Sequence, residues 1–128
     1  MERIYFDSVA FIYYVEQRLP WSVRIDARLA VRPVQIVVSD LTRMECRVKP
    51  LAARNVALLA EFDTAFAAAE LAPVTAAVFD RATEIRAAHR FKTPDALHLA
   101  AAVETGCDVF LTNDLRLAAF TGIAVEVI

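Results

Sequence analysis

The chain has 128 residues, which suits one domain with a single core and is too short for several. Its residues are 58% hydrophobic, but much of that content is alanine and no apolar run reaches the roughly 18 residues of a membrane span, so a transmembrane protein is excluded. Fourteen Lys and Arg against sixteen Asp and Glu give a net charge of −2, which is not the basic signature of a non-specific nucleic-acid binder.

The start of the sequence and the two cysteines indicate no targeting segment, zinc site or redox motif. Met1-Glu2-Arg3 runs straight into a strand pattern and lacks the layout of a signal peptide, so we expect a cytoplasmic protein that makes no membrane contact. Cys46 and Cys107 belong to no CxxC pair, and zinc and redox motifs are therefore unsupported.

The first half of the chain predicts two strands and four helices. Apolar and β-branched runs mark the strands, while Pro20, Pro33 and Pro50 mark element boundaries. The predicted elements are a strand over 3–6, a helix over 8–18, a short helix between Pro20 and Pro33, a strand over 35–38, a helix over about 40–49, and, after an interruption at Pro50, a helix over about 51–70.

The second half predicts three strands and three helical segments. Pro73 makes the first of these strands a weak edge strand, and Thr93 followed by Pro94 predicts a helix that is capped by Thr93. The predicted elements are a strand over 71–74, a helix over 75–88, a helix from 93 to Gly106, a strand over 109–112, a helical turn over 114–120 and a strand over 123–127.

This alternation of strands and helices predicts an α/β fold in one domain spanning residues 1–128. We expect a central, mostly parallel sheet of four to five strands with helices on both faces. No linker, repeat or low-complexity tract divides the chain.

Four acidic residues stand where a strand ends or near the start of a helix. Asp7 and Asp114 directly follow strands, Asp95 lies in the first turn of a helix, and Glu45 lies about two turns into another helix. The carboxyl ends of central parallel strands open onto one shared crevice. Carboxylates gathered there would repel one another unless a hard divalent cation joined them, which suggests a metal-dependent enzyme.

Helix capping is the alternative explanation for the three aspartates. Asp is common at helix N-termini, because it accepts hydrogen bonds from free backbone N–H groups and suits the helix dipole. Glu45 would then be a surface residue that pairs with Lys49 one turn away. Asn113 is itself a good cap, however, and we expect it to leave Asp114 free for other work.

Four segments carry a family resemblance, in order and along the whole chain. They are residues 4–8 (IYFDS), 39–45 (SDLTRME), 93–102 (TPDALHLAAA) and 110–114 (FLTND). They resemble the four acidic motifs of PIN-domain ribonucleases, and most closely those of the VapC-type toxins of bacterial toxin–antitoxin pairs.

The resemblance implies a single PIN-like nuclease domain whose four acids hold one or two Mg²⁺ or Mn²⁺ ions for the hydrolysis of RNA. It implies Asp7 and Asp95 as direct ligands, Asp114 as a ligand either directly or through water, and Glu45 acting through water. Ser8, Thr112 and Asn113 would hydrogen-bond these carboxylates, or would serve only as caps. The implied partners are an RNA substrate, a cognate antitoxin protein and a second copy of the chain or a larger toxin–antitoxin assembly.

Other residues leave alternatives open. Arg90, Lys92 and Arg116 are candidates for contacts with RNA phosphates, or form a solvated rim. His98, one turn after Asp95, is expected to play a structural or supporting role. The aromatic residues of the first helix and Trp21 indicate either an exposed apolar patch for an antitoxin or a dimer partner, or a well-buried helix.

Several functions compete with that of a ribonuclease toxin. A PIN-type nuclease for RNA processing and a non-catalytic RNA- or protein-binding module remain open. A phosphoacceptor receiver domain would need an adjacent acidic pair after the first strand and a late lysine. A haloacid-dehalogenase-like phosphatase would need a second aspartate where Val9 stands, and the chain fits neither of these two classes.

Overall fold

Five parallel strands form the central sheet of the computed structural model, which describes all 128 residues. The strands are β1 (Glu2–Phe6), β2 (Val34–Ser39), β3 (Glu70–Ala72), β4 (Val109–Thr112) and β5 (Ala124–Val127). The helices are α1 (Ser8–Glu16), α2 (Trp21–Leu29), α3 (Asp40–Ala52), α4 (Val56–Ala68), α5 (Ala76–His89) and α6 (Thr93–Glu104), and a 3₁₀ helix covers Leu115–Ala119.

The strand order in the sheet is β3-β2-β1-β4-β5, and every neighbouring pair is parallel. The predicted α/β class and the count of four to five strands are confirmed, and the sheet is wholly rather than mostly parallel. β3 is an edge strand, as Pro73 indicated. From β1 the chain first builds the sheet in one direction, through β2 to β3, and then crosses to the other side for β4. The sheet therefore has its topological switch point between β1 and β4.

Helices cover both faces of the sheet, because alternate residues of each strand point to opposite faces. Tyr5, Val37 and Phe110 pack beneath α5 and α6. Their neighbours Phe6, Val38 and Leu111 pack against α1, α3 and α4. All six of these side chains are fully buried, so the central strands are apolar on both faces until they reach their carboxyl ends.

The boundary between α3 and α4 differs from the prediction. The helix continues through Pro50 to Ala52, and Pro50, in its last turn, removes one backbone donor without ending the helix. The break comes at Arg54, which adopts a left-handed backbone with φ 53°, and Asn55 then caps α4 by accepting a 3.1 Å hydrogen bond from the backbone N–H of Leu58.

Two smaller differences concern caps. α1 ends at Glu16 rather than at residue 18, since Gln17 turns into the left-handed region with φ 52°. The cap position of α6 is Lys92 rather than Thr93, which is the first residue of the helix. Pro94 and Asp95 lie in the first turn of α6, as expected.

The aromatic residues of α1 pack mainly within the domain. Phe11 is fully buried, and the half-buried Tyr13 stacks on Trp21 with ring centroids 4.3 Å apart. Of the two interpretations, the well-buried helix fits this structure better. More exposed apolar side chains lie elsewhere, for example Met44 and Val48 on α3. No helix is both long and apolar enough to cross a bilayer.

Phe11 offers a test of the core beneath α1. It stacks on Phe66 with centroids 5.0 Å apart and meets Phe6 edge-on. We expect Phe11→Ala to lower the free energy of unfolding by about 3–5 kcal/mol, because the large cavity collapses only partly. Urea denaturation measures this loss, with Phe79→Ala, whose side chain is 54% exposed, as the matched control. Equal losses in the two variants would contradict the packing described.

Candidate active site

The carboxyl ends of β1 and β4 bring the first and last predicted acids to the switch point of the sheet. Phe6 pairs with Leu111 in these neighbouring strands, so Asp7 and Thr112 leave the sheet side by side. Asp114 follows two residues later. This is the place where open parallel sheets bind ligands.

Asp7 is held rigidly by two hydrogen bonds. Its carboxylate accepts a 2.8 Å bond from the backbone N–H of Ala10, which makes Asp7 the N-cap of α1, and a short bond from the Thr112 hydroxyl. The residue is only 8% exposed. Burial raises the pKa of Asp7, outweighing these bonds, and the negative charge of Asp95 adds to the increase. Capping and a site role are therefore compatible in one side chain.

Asp95 enters the same crevice from the first turn of α6. Burial raises its pKa, and the charge of Asp114 raises it further. No hydrogen bond lowers the pKa of Asp95, whereas two hydrogen bonds act to lower the pKa of Asp7. Because like charges act from Asp95 on Asp7 and from Asp114 on Asp95, these three carboxylates form one electrostatically coupled group, which we call the acidic trio.

Asp114 is engaged with Arg116. The Arg116 guanidinium donates to both oxygens of Asp114, at 3.0 Å from Nε to Oδ1 and 2.5 Å from Nη2 to Oδ2, and this contact lowers the pKa of Asp114. Asp114 also caps the 3₁₀ helix by accepting from the backbone N–H of Arg116. The expectation that Asn113 would be the cap is wrong, since its side chain instead donates to the Tyr13 hydroxyl at 3.3 Å.

Glu45 is not among the charges that shift the pKa values of the acidic trio, and its carboxylate is held by other residues. Its Oε1 atom accepts a 2.7 Å bond from the Ser8 hydroxyl and lies 2.6 Å from Nε2 of His98, which is buried. Burial alone would raise the pKa of Glu45, but the bonds to His98 and Ser8 hold that pKa below its ordinary value. Glu45 is therefore anchored at the site rather than paired with Lys49 on the surface.

Tyr5 and Ser39 lie in two of the four motif segments but were not predicted as site residues, and the structure connects both to His98. The Tyr5 hydroxyl lies 2.7 Å from Nδ1 of His98 and 2.8 Å from Oγ of Ser39, and burial raises the pKa of Tyr5. In the sequence Tyr5 is one more apolar residue of a buried strand, 93 positions from His98. No local pattern reveals such a contact.

Two of the three predicted basic residues act on the acidic trio by their charge. The positive charge of Lys92 opposes the increase in the pKa of Asp95 and adds to the decrease in the pKa of Asp114. Arg90 is exposed at the end of α5, where it adopts a left-handed backbone with φ 58°. The guanidinium of Arg116 is already bonded to one member of the trio, Asp114.

The four predicted acids do not form a ready ligand cage for a metal ion. No group of three or more His, Cys, Asp or Glu side chains is arranged to hold one. Asp114 is bonded to Arg116, and Glu45 to Ser8 and His98. Asp7 and Asp95 nevertheless fit a hard divalent cation in chemical type, since they offer carboxylate oxygens, and burial followed by like charge raises the pKa of each.

Fold and site together define an α/β domain with an acidic crevice at the switch point of a parallel sheet. The family model of the PIN domain matches residues 4–123. The chain therefore belongs to the PIN-domain family. This match spans all of the strands and helices except the first two residues of β1 and the whole of β5.

Solved structures with a similar fold cover nearly the whole chain. One is a VapBC2 complex of Rickettsia felis bound to a promoter DNA fragment, with TM-score 0.78, 13% identity and 97% of each chain covered. A toxin–antitoxin complex of Klebsiella pneumoniae has TM-score 0.76 and 20% identity over 94% of this chain and 95% of that one. VapC20 of Mycobacterium tuberculosis, a toxin that cleaves the sarcin–ricin loop, has TM-score 0.67 and 18% identity over 94% and 98%. No curated protein gives a significant sequence match.

Proposed function

We propose that this protein is an Mg²⁺- or Mn²⁺-dependent endoribonuclease and the toxin of a toxin–antitoxin pair. The observation that carries the proposal is the acidic trio at the switch point of the sheet, in which the charge of Asp95 acts on the buried Asp7 and the charge of Asp114 acts on the half-buried Asp95. A buried carboxylate with a second carboxylate acting on it is costly in a folded protein, and a bound cation would offset that cost.

Asp7 and Asp95 would hold the metal ion. The Ala10 N–H and the Thr112 hydroxyl fix the orientation of Asp7, as outer hydrogen bonds commonly do for metal ligands. Asp114 would join them on release from Arg116. When bound, the ion would lower the pKa of a water molecule and stabilise the charge that develops on the phosphate.

Glu45 is suited to orienting the attacking water. Both of its hydrogen bonds are made by Oε1, which leaves Oε2 available to accept a proton from water. Glu45 is ionised at neutral pH, so Oε2 can accept a hydrogen bond that orients the water. Ser8 and His98 hold it in this orientation.

The role as a toxin is supported by the solved structures that share this fold. Two of the similar structures are toxin–antitoxin complexes and the third is an RNA-cleaving toxin. On this proposal the partners are RNA and a cognate antitoxin, and the protein works in the cytoplasm in a homodimer or a larger toxin–antitoxin assembly. Induced expression in bacteria should stop growth, and co-expression of the antitoxin should restore it.

Metal removal tests the proposed chemistry. Purified protein is incubated with end-labelled single-stranded RNA in Mg²⁺, in Mn²⁺ or in EDTA. We expect cleavage with either metal ion, none in EDTA, and recovery when excess Mn²⁺ is added back. Cleavage that continues unchanged in EDTA would contradict the proposal, and binding without cleavage under every condition would favour the non-catalytic module.

The exposed side chains of Arg90 and Lys92 predict how RNA binding depends on salt. Replacing Arg90 and Lys92 together with Gln should weaken RNA binding measured in EDTA. It should also make binding less salt-dependent, by about one unit of slope for each lost phosphate contact. Arg32→Gln is the control, because Arg32 lies 3.8 Å from the Glu2 carboxylate, at the amino end of β1 and therefore opposite the site. An equal loss per charge removed in the control would mean that the charge of the whole protein, and not Arg90 and Lys92, governs binding.

A further inference from the structure

A series of hydrogen-bonded polar groups runs from the carboxyl end of β2 to the active site. It begins at Ser39 at the end of β2, passes through the Tyr5 hydroxyl and the His98 ring, and ends at Oε1 of Glu45. Tyr5 and Ser39 are at most 1% exposed and His98 is 3% exposed, whereas Glu45 is about one-third exposed at its side chain. Of these four hydrogen-bonded groups, only the Glu45 carboxylate reaches solvent.

The distances fix where one proton lies. Glu45 is ionised and accepts only, so Nε2 of His98 must carry hydrogen to approach Oε1 at 2.6 Å. Nδ1 of His98 lies 2.7 Å from the Tyr5 hydroxyl, and Tyr5 in turn contacts Ser39. Whether Tyr5 donates to Nδ1 or accepts from it, the ring is held at both nitrogens and cannot rotate without breaking a buried bond.

We propose that His98 is a positioning residue that keeps the Glu45 carboxylate directed at the substrate water. This inference rests on the proposed function, because it gives Glu45 its task in RNA cleavage. His98 acts through Nε2, while Tyr5 orients the ring through Nδ1. Ser8 adds a second donor to the same carboxylate oxygen and leaves Oε2 free.

Two amide substitutions separate this role from a purely structural one. In His98→Gln the side-chain amide reaches the position of Nε2 and can still donate to Glu45. In His98→Asn the amide reaches only the position of Nδ1, so the contact with Tyr5 is kept and that with Glu45 is lost. Both variants place one neutral amide in the same buried space, so their melting temperatures should fall by similar amounts.

The expected result is a difference in kcat between the two amides. His98→Asn should lower kcat for RNA cleavage by about ten- to a hundredfold with little change in KM, whereas His98→Gln should recover most of the activity. In a Glu45→Gln background, His98→Asn should cause no further loss, because both changes act through one carboxylate. Equal losses in the two amides, or an additive loss in the double variant, would overturn the proposal.

Two measurements keep the inference testable if His98→Asn does not fold. Tyr5→Phe frees the ring at Nδ1 and should lower kcat in the wild-type background but not in Glu45→Gln. ¹⁵N NMR of the labelled histidines, assigned with His89→Gln, should show a slowly exchanging proton on Nε2 of His98 that is lost in Glu45→Ala.

An unprotonated Nε2 in the wild type would overturn the inference without any assay of RNA cleavage. A wild type that shows this proton but cuts no RNA would instead refute the proposed function and, with it, the positioning role. The failure of the positioning role alone is therefore distinguishable from the failure of the nuclease.

Discussion

Asp7→Asn is expected to abolish RNA cleavage and leave the fold intact. The loss should be at least about a hundredfold, since even groups that only orient a metal ligand are worth about ten- to a hundredfold. Asn remains a good N-cap, because its amide oxygen can accept from the Ala10 N–H, while its NH2 group can donate to the Thr112 hydroxyl in place of the bond that Asp7 accepts. The free energy of unfolding without metal should therefore not fall, and relief of the buried charge favours an increase.

Asp40→Asn is the matched control for this experiment. Asp40 is an exposed carboxylate in the first turn of α3, paired with Arg43 at 2.9 Å, and lies outside the acidic trio. It should retain full activity. Gel assays of labelled RNA measure the rates, and urea denaturation in EDTA measures the stability. Undiminished cleavage by Asp7→Asn would point to a contaminating nuclease and remove the support for an enzyme.

The metal-free protein should lose the stability contributed by Asp7 and Asp95 as the pH rises. The pKa values of Asp7 and Asp95 are both raised in the folded state, by burial first and then by like charge. Their contribution to stability is therefore fully present below about pH 4, the unfolded value, and is lost as the pH rises through the folded values. Urea denaturation in EDTA at a series of pH values should show Asp95→Asn becoming more stable relative to the wild type over this window.

Asp114→Asn provides a control of opposite sign. Arg116 lowers the pKa of Asp114 in the folded protein, so the stability from this group is present above its unfolded pKa and is lost as the pH falls. Asp114→Asn should thus become less stable relative to the wild type as the pH rises. Parallel pH profiles for the two variants would contradict the described electrostatics.

The parts of the site that depend on strand ends could be predicted from the sequence. The apolar runs before Asp7 and Asp114 identify central strands, and parallel strands bring their carboxyl ends to one edge. Asp95 was placed by the Thr-Pro-Asp signal of a helix start, even though the cap itself lies one residue earlier. These features are local in the chain, which is why sequence patterns contain them.

The orientation of the side chains could not be predicted in this way. The contact of Glu45 with His98 depends on how α3 and α6 pack on opposite faces of the sheet, and the bond of Arg116 to Asp114 depends on a short 3₁₀ turn. Sequence patterns predict that the four acids lie near one another, but they do not indicate that Asp114 is bonded to Arg116 or that Glu45 is bonded to His98. A cap such as Asp114 and a member of the acidic trio can also be the same residue, so capping statistics alone do not decide between the two roles.

Direct measurement of Mn²⁺ binding tests the central claim, that the acidic trio forms a divalent-cation site. Electron paramagnetic resonance titration counts free Mn²⁺ in the wild type and in Asp7→Asn, Asp95→Asn and Asp40→Asn. We expect saturable binding in the wild type and in Asp40→Asn, and affinity weakened at least about tenfold in both trio variants. Equal Mn²⁺ affinity in all four proteins, or none in the wild type, would contradict the claim.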